Sequence, residues 1–475
     1  DHRDLHLSLR RQRQMCIRDR SEYVLSEESD LLVYEYDGSA DKGLPVVVIL
    51  PENAEQVSKA IMTAARHDVP VIARGAGTGL SGGAVADEGG IVIGMSRLKK
   101  ILEVDVDNRY AVVEPGVVNL DLSTHVGPLG LYYAPDPSSQ RACTIGGNVA
   151  ENSGGPHCLA YGVTTNHVLG MEIVLADGSI TWFGGTDRDF YGYDLRGITI
   201  GSEGTLGIVT KVAVRLLRLP EHVKTMLVVF DSIADASGAV SGVIAAGMVP
   251  AALEMMDHFC IQAAEAAVGA GYPEGAGAVL LIELDGQESE VESASDQTYS
   301  LCKACGARDV RCAQDQIERA RLWKGRKAAF AAVGKISSTY YVQDGVVPRS
   351  TLPKVLAAIE RLSKSHDLPV ANVFHAGDGN LHPLILYDAN TPGELESAEK
   401  FGAEILTLCV EVGGVLTGEH GVGVEKRDLM ETMFTEIDLK QQQRLKCAFD
   451  PKQLLKEMRF FSVQRNPVSY THLRA

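Results

Sequence analysis

The chain is short of the features that mark several common architectures. Nine cysteines are scattered over 475 residues with no disulfide-framework spacing, which points to a reducing compartment rather than a cross-linked secreted fold. The Cys-x-x-Cys at Cys302 and Cys305 has Cys312 nearby but no second pair, so it falls short of the roughly four ligands of a zinc or iron–sulfur site. That stretch reads as a helix ending near Gly306, with the cysteine spacing incidental. No apolar run is long enough to span a bilayer. Positive charge is in deficit, with 45 Lys and Arg against 62 Asp and Glu and a net charge of −17. No basic stripe offsets the acidity, which argues against nucleic acid as a partner; the acidity favours solubility and is silent on substrate. Residues 1–20 hold six arginines and no apolar h-region, so they are not a secretory signal. Nor is Arg10-Arg11 followed by the apolar stretch of a twin-arginine signal. The runs Met15-Cys16-Ile17-Arg18-Asp19-Arg20 and Ser469-Tyr470-Thr471-His472-Leu473-Arg474-Ala475 resemble translated sequencing adapter; residues 1–20 and 462–475 are expected to be non-native. A cytoplasmic location is expected, with any membrane association through partners.

What is present is core and glycine. The chain is 45% hydrophobic and 23% charged, a globular composition, and its length predicts two or more domains. The 48 glycines concentrate in loops between residues 75 and 207. The most informative stretch is Val373-Phe374-His375-Ala376-Gly377-Asp378-Gly379-Asn380-Leu381-His382-Pro383. It reads as two strands joined by the two-residue turn Asp378-Gly379, a favoured pair where both positions need positive φ. Counting outward, Gly377 faces Asn380, Ala376 faces Leu381 and His375 faces His382. The two imidazoles would then lie opposite one another with Cβ atoms about 5 Å apart, close enough to share a divalent metal ion; the alternative is a hairpin whose histidines bond the backbone. Gly418-Glu419-His420-Gly421 offers a carboxylate ligand and a base.

The first half carries three glycine loops. A buried-strand pattern at 46–50 precedes a helix opening at Asn53, with Gln56 three residues on as a capping signature and Val57, Ile61 and Ala64/Ala65 at helical spacing. A strand over 69–73 then enters Arg74-Gly75-Ala76-Gly77-Thr78-Gly79-Leu80-Ser81-Gly82-Gly83-Ala84. The Gly-x-Gly-x-x-Gly at Gly77, Gly79 and Gly82 is not a dinucleotide-binding Rossmann fingerprint, which opens directly into a helix. Here Asp87-Glu88-Gly89-Gly90 leads to another strand at 91–93. What remains is an anion nest of bare N–H groups or a flexible surface loop. Pro135-Asp136-Pro137-Ser138-Ser139, continuing to Thr144-Ile145-Gly146-Gly147-Asn148-Val149-Ala150-Glu151-Asn152-Ser153-Gly154-Gly155, and Gly201-Ser202-Glu203-Gly204-Thr205-Leu206-Gly207-Ile208-Val209-Thr210 are the other two. Three such loops suit a long ligand carrying a diphosphate, with apolar strands as walls for an aromatic ring.

Together these loops resemble the FAD-binding domain of the vanillyl-alcohol-oxidase (PCMH) type flavoproteins. The His-Ala-Gly-Asp-Gly-Asn-Leu-His and Gly-Glu-His-Gly-Val-Gly motifs resemble their 2-hydroxy-acid dehydrogenase branch, which holds the flavin subunits of bacterial glycolate oxidases and the D-lactate and D-2-hydroxyglutarate dehydrogenases. The resemblance covers about residues 25–455. It implies an α+β chain: an N-terminal segment over 1–43, a two-part FAD-binding domain over 44–220, and a substrate and metal domain over 221–461 whose antiparallel sheet is covered by helices. Strands are predicted at 225–230 and 279–284 and in a hairpin over 373–387, with an alanine-rich helix after 230 and helices near 288–305, 351–366 and 394–412. FAD would meet Arg74, Gly75, Gly77, Thr78, Gly79, Ser81, Gly82, Pro135, Asp136, Ser139, Gly146, Gly147, Asn148, Ala150, Ser153, Gly154, Glu203, Gly204 and Ile208. Some members attach FAD through a histidine where this chain has Thr78, so non-covalent FAD is expected.

The implied chemistry is oxidation of a small 2-hydroxy acid to the 2-oxo acid, with FAD taking the hydride. His420 is the expected base, as its ordinary pKa suits proton abstraction; a structural turn histidine is the alternative. His375, His382 and Glu419 would hold zinc or another first-row transition metal, set against a metal-free site in which the histidines bond substrate directly. Arg326, in Leu322-Trp323-Lys324-Gly325-Arg326-Lys327, would clamp the substrate carboxylate through its planar fork, with Lys324, Lys327 or a solvated helix face as alternatives. Relatives acting on larger diacids carry basic residues where this chain has Tyr341 and Val342, which favours glycolate or D-lactate. Asn380 either orients substrate or holds the turn. Iron–sulfur motifs are missing, so a glycolate-oxidase-like complex would bring iron–sulfur and second flavin subunits, with electrons passing to a partner or quinone. The rival expectations are a D-2-hydroxyglutarate dehydrogenase acting alone, a non-catalytic flavin-binding subunit, and a metallohydrolase. One departure stands out: after Phe449-Asp450-Pro451 and Leu454-Leu455 the family's Asn-Pro-Gly-Lys is replaced by Lys456-Glu457-Met458-Arg459.

Overall fold

The computed structural model describes residues 21–187 and 192–456. The expectations for residues 1–20, 457–459 and 462–475 lie outside them. Strands Val24–Leu25 (β1), Val47–Ile49 (β2), Val71–Arg74 (β3) and Ile91–Gly94 (β4) form a sheet in the order β1-β2-β4-β3. β2 and β3 both run parallel to β4, and β2 and β4 are buried along their whole length, as parallel strands covered on both faces are. Helix Ala54–Arg66 (α1) begins where expected. Asn53 accepts from the Gln56 N–H at 2.9 Å and Gln56 Oε1 accepts from the Glu52 N–H at 2.9 Å, satisfying two donors at the helix start. Val57, Ala60, Ile61 and Ala64 are its buried face. β3 starts at Val71, two residues later than expected, because Pro70 has no N–H to pair.

The second sheet is antiparallel: Ile101–Asp105 (β5), Tyr110–Val113 (β6), Val168–Val174 (β8), Ile180–Gly184 (β9) and Ile208–Arg215 (β10), in the order β5-β6-β10-β8-β9. A two-stranded ribbon pairs Leu131–Tyr132 (β7) with Leu217–Arg218 (β11). The short helix Ile145–Glu151 (α2) is capped by Thr144, whose hydroxyl accepts from the Gly147 N–H at 3.2 Å.

Beyond residue 221 one seven-stranded antiparallel sheet organises the chain. Its strands are His222–Phe230 (β12), Ala252–Asp257 (β13), Ala278–Gly286 (β14), Asp309–Cys312 (β15), Thr339–Val342 (β16), Val370–His375 (β17) and Asn380–Tyr387 (β18), in the order β15-β12-β14-β13-β17-β18-β16. Alternate side chains feed two cores, as the period of two requires. Met226, Val228 and Phe230 pack with Ile233–Ala245 (α3), Glu288–Ala304 (α5), Leu352–His366 (α7) and Glu394–Glu411 (α8). Leu227 and Val229 pack with His258–Val268 (α4) and Gln316–Val333 (α6) on the other face. The predicted helices and strands of this half are all present. Cys305 is the C-cap of α5, immediately before Gly306, whose φ is +89°. Among the described residues no helix is long and apolar enough to cross a membrane.

The two halves are not separate in sequence. After the helix Glu436–Phe449 (α9) the chain returns to the first sheet. The Val71 N–H donates to Leu454 O at 2.8 Å, the Lys456 N–H donates to Val71 O at 2.8 Å, and Leu454 and Leu455 join the core under α1. Asp450 accepts from the Leu454 and Leu455 N–H groups at 3.0 and 2.7 Å and fixes this turn. Leu455 is fully buried, so Leu455→Ala should destabilise the protein by about 2–5 kcal/mol, read as a lower midpoint in chemical denaturation. An unchanged midpoint would mean that the returning segment adds nothing to the first sheet.

Candidate active site

The hairpin carries its histidines in a register other than the one expected. His375 opposes Asn380, and His382 opposes Val373, so the loop holds four residues, 376–379. Only Gly379 in it has positive φ, at +83°. The tight two-residue turn fails because the loop is tied to its neighbours. The Gly377 N–H donates to Leu253 O at 2.9 Å, and Gly379 O accepts from the Val347 N–H at 3.0 Å. His375 and His382 are therefore diagonal rather than opposed, yet they share a face, with ring centroids 5.0 Å apart and edge to face.

Both Nε2 atoms converge on one oxygen. Glu419 Oε1 lies 3.3 Å from His375 Nε2 and 3.2 Å from His382 Nε2, with His420 Nε2 at 3.9 Å. His382 Nε2 lacks hydrogen-bond alignment despite that distance. His375 Nδ1 lies 2.9 Å from both oxygens of Glu254. The His420 ring stacks on His382 at 4.9 Å. Asp344, His382, Glu419 and His420 bring one donor atom each to within 4.8 Å of one another, a grouping that differs from the expected set by having Asp344 and His420 in place of His375. Asp344 Oδ2 is already committed, however. It accepts from the Thr417 hydroxyl at 2.6 Å and from the N–H groups of Gly418, Glu419 and His420 at 2.9, 3.0 and 2.8 Å.

The electrostatics follow from burial. Burial works to raise the Asp344 pKa, but His420, Lys426 and His382 outweigh it and hold it at about 2. Burial lowers His420 to about 4, with Asp344 opposing and His382 and Lys426 adding to the shift, so its imidazole is neutral near pH 7. Burial also opposes charge on His375 and Glu419, yet the carboxylates of Glu254 and Glu419 hold His375 well above its usual range, and His375 and His382 hold Glu419 well below its own.

The loop bearing Glu419 and His420 meets a cavity of about 810 Å³ lined by all three glycine segments, a size suited to a large organic ligand. Arg74, Gly75, Gly77, Thr78, Gly79, Ser139, Gly146, Gly147, Asn148, Ala150, Ser153, Glu203, Gly204 and Ile208 line it, as do Lys327, Tyr341, Glu419 and His420. The other residues expected at the cofactor brace this wall. Ser81 Oγ lies 3.1 Å from the carbonyls of His420 and Gly421. Gly82 packs against Val424, and Pro135 O accepts from Asn119. Asp136 pairs with His157 and Lys327. A Cβ at Gly154 would come within 2.7 Å of Glu419 Oε2. Arg326 is not a cavity-wall residue: it is fully buried, its Nη2 2.6 Å from Glu254 Oε2 in an ion pair, while its Nε, Nη1 and Nη2 all lack an aligned hydrogen-bond partner. Asn380 is buried beside Gly418 rather than in the cavity wall. Glu254 and Asp344 went unassigned in the sequence. A lone glutamate inside the apolar run Ala252–Asp257 was the available signal for the first.

Two family models match this chain: "FAD linked oxidases, C-terminal domain" over residues 219–457 and "FAD binding domain" over residues 45–184. The glycolate oxidase subunit GlcD of Escherichia coli (strain K12) is 51% identical over 433 residues, 91% of this chain and 87% of that protein. A D-lactate dehydrogenase of Archaeoglobus fulgidus is 36% identical over 412 residues, 86% of this chain and 90% of that protein. Among solved structures, p-cresol methylhydroxylase with substrate bound aligns with a TM-score of 0.82 over 96% of both chains, and 4-ethylphenol oxidase from Gulosibacter chungangensis with 0.74 over 92% of this chain and 93% of that one. Both are 19% identical in sequence and speak to the fold alone.

The seam beside the cavity is closed by a partly buried ion network centred on the buried Glu283. His157 Nδ1 lies 3.0 Å from Asp136 Oδ2, and its Nε2 lies 3.2 Å from Glu283 Oε1 on β14. Glu283 also accepts from Arg319 at 2.9 and 2.7 Å, from Trp323 at 2.6 Å and from Thr225 at 2.6 Å. Burial opposes a charge on His157, but Asp136 and Glu283 raise its pKa to about 10 from 6.5. A raised folded-state pKa stabilises below the unfolded value and ceases to do so above the folded one. The His157 contribution should therefore be complete below about pH 6.5 and fade up to about pH 10. In melting curves from pH 6 to 10.5, His157→Gln should melt below wild type at the acid end and converge with it at the alkaline end. A gap that does not change with pH would show that His157 is uncharged in the fold.

Proposed function

Because the chain belongs to the FAD-linked oxidases, we propose that it oxidises a small 2-hydroxy acid, glycolate or D-lactate, to the 2-oxo acid. The observation that carries this proposal is the meeting of His375, His382 and His420 around Glu419 Oε1 at the wall of a cavity lined by three glycine segments.

The residues present fit FAD. At Gly79 a Cβ would meet nothing nearer than Asp37 Oδ2 at 3.9 Å, so bare backbone faces open space where a diphosphate needs N–H donors. Bound FAD supplies the hydride acceptor. Arg74, Gly75, Gly77, Thr78 and Gly79, the α2 start at Gly146 and Gly147, and Glu203 and Gly204 are the residues proposed to hold it, without a covalent bond at Thr78. The donor set likewise fits a divalent cation: two imidazole Nε2 atoms aim at one carboxylate oxygen, and His382 Nε2 has no aligned protein partner. His375, His382 and Glu419 are the proposed ligands of zinc or another first-row metal, which would lower the pKa of a nearby substrate hydroxyl.

The chain's own residues then have distinct tasks. His420 is neutral and accepts the hydroxyl proton at Nε2. Arg326, buried behind the cavity wall with no aligned hydrogen-bond partner at Nε, Nη1 or Nη2, is the proposed clamp for the substrate carboxylate; Lys327, in the cavity wall itself, is the second candidate. Tyr341 and Val342 are the uncharged side chains that line the cavity at those two positions, which favours a monocarboxylate. Burial and the Glu425 carboxylate raise the Tyr341 pKa, keeping the phenol protonated. The relative named as a glycolate oxidase subunit supports electron transfer to partner subunits; that these carry iron–sulfur clusters and a second flavin is proposed from the family resemblance alone.

Anaerobic addition of glycolate or D-lactate should bleach the flavin spectrum of the purified protein; a yellow protein that neither acid bleaches would exclude both as substrates. His420→Gln should retain flavin but lose about 10²–10⁴-fold in kcat/KM, and a loss of less than tenfold would remove His420 as the base. Prolonged dialysis against a chelator should abolish turnover and added zinc, cobalt or manganese should restore it, whereas full activity with no bound metal would sink the metal site.

A further inference from the structure

We propose that Glu254 is the positioning residue of this centre: through one carboxylate it aims His375 at the cation and fixes Arg326 beside it. This rests on the proposal that His375, His382 and Glu419 hold a metal.

Glu254 lies in the middle of β13 with every neighbour in that strand buried, and is itself 1% exposed. A carboxylate there is costly unless it is paired and hydrogen-bonded. The antiparallel register that sets Met255 against Phe374 brings Glu254 alongside His375, and α6 supplies Arg326 from the covering layer. Both Glu254 oxygens lie 2.9 Å from His375 Nδ1, and Oε2 is 2.6 Å from Arg326 Nη2.

A carboxylate can only accept hydrogen bonds. His375 Nδ1 therefore carries the proton, and Nε2, facing Glu419 Oε1 at 3.3 Å, is the atom left to exchange a proton for a cation. A carboxylate behind a ligating imidazole fixes its tautomer and ring orientation. It does so here from a central strand rather than a loop, which keeps the geometry tight. The same carboxylate neutralises Arg326 through the ion pair at Nη2, and no nitrogen of the guanidinium has an aligned hydrogen-bond partner in the protein. The ligand and the carboxylate clamp thus face one group, His375 through a hydrogen bond and Arg326 through an ion pair, and neither can turn without losing that contact.

Two variants separate this role from simple structural support. Glu254→Asp keeps the buried negative charge that Arg326 requires but is one methylene too short to reach both partners. Glu254→Gln keeps the length but turns an amide NH2 toward one of two N–H donors. Each holoenzyme, with wild type and His382→Ala, would be equilibrated with buffered zinc, and bound zinc per flavin measured by elemental analysis, with melting temperature and flavin content as controls of folding. Glu254→Asp is expected to fold with full flavin and to bind zinc roughly 10–100-fold more weakly, and Glu254→Gln, where it folds, to do the same. Wild-type zinc affinity in folded Glu254→Asp would overturn the role of Glu254 while leaving the metal site intact. No zinc on wild type, indistinguishable from His382→Ala, would overturn the metal site itself and this inference with it.

Discussion

Four donors converge on a single oxygen, Asp344 Oδ2: the Thr417 hydroxyl and the N–H groups of Gly418, Glu419 and His420. Hydrogen bonds to a charged group contribute about 1.5–3 kcal/mol each, and Asp344 is wholly buried and held anionic at any moderate pH. The segment 417–420 has no regular secondary structure to give it shape. Its conformation is set from outside, by a carboxylate following strand β16. Glu419 and His420 point where they do because their own backbone N–H groups are pinned. The other features of the centre, including the convergence on Glu419 Oε1, depend on that anchor.

The same loop is held from its far side by the first half of the chain. Glu203 accepts from the N–H groups of Val422 and Gly423 at 2.7 and 2.8 Å, and Ser81 reaches the carbonyls of His420 and Gly421. Glu203 and Ser81 belong to glycine segments whose neighbours line the cavity. Residues that form the cofactor wall therefore also fix the loop that carries the proposed base. The His157 network locks the opposite edge, joining Asp136 to Glu283 across the seam. The cavity is a product of both halves, and a shift at either attachment would move His420 relative to the glycine wall.

Much of this was legible in the sequence, for reasons that differ by element. The Asn53 cap and α1, the helices of the second half and its central strands follow from local spacing and composition, and the three glycine segments announce a shared ligand. The hairpin register was not legible, because it is set by bonds from residues 377 and 379 to Leu253 and Val347, which are remote in sequence. Arg326 shows a similar limit. Its chemistry reads as a clamp, but its burial against Glu254 depends on how α6 crosses β13. Asp136 and Ser81 sat in the correct segments, yet their side chains turn to His157 and to the 420–421 carbonyls. Sequence places the segments; which way a side chain turns is decided by a partner that only the fold supplies.

The chemistry of the centre turns on a mismatch. Burial, with help from His382 and Lys426, holds His420 at about 4, so its imidazole is always free to accept a proton but accepts one weakly. Against an unassisted hydroxyl such a base works uphill by many pKa units, at about 1.4 kcal/mol for each. A zinc ion can lower the pKa of an oxygen acid by about nine units, which recovers most of that gap. A weakened base and the proposed ligand set beside it would therefore be complementary: the environment that keeps His420 neutral would be matched by the cation proposed at Glu419. The stacking of His420 on His382 couples the two requirements, because a cationic His420 would lie directly against a proposed metal ligand. Keeping the base neutral is the condition under which a divalent cation and a proton acceptor can occupy adjacent positions in one buried site.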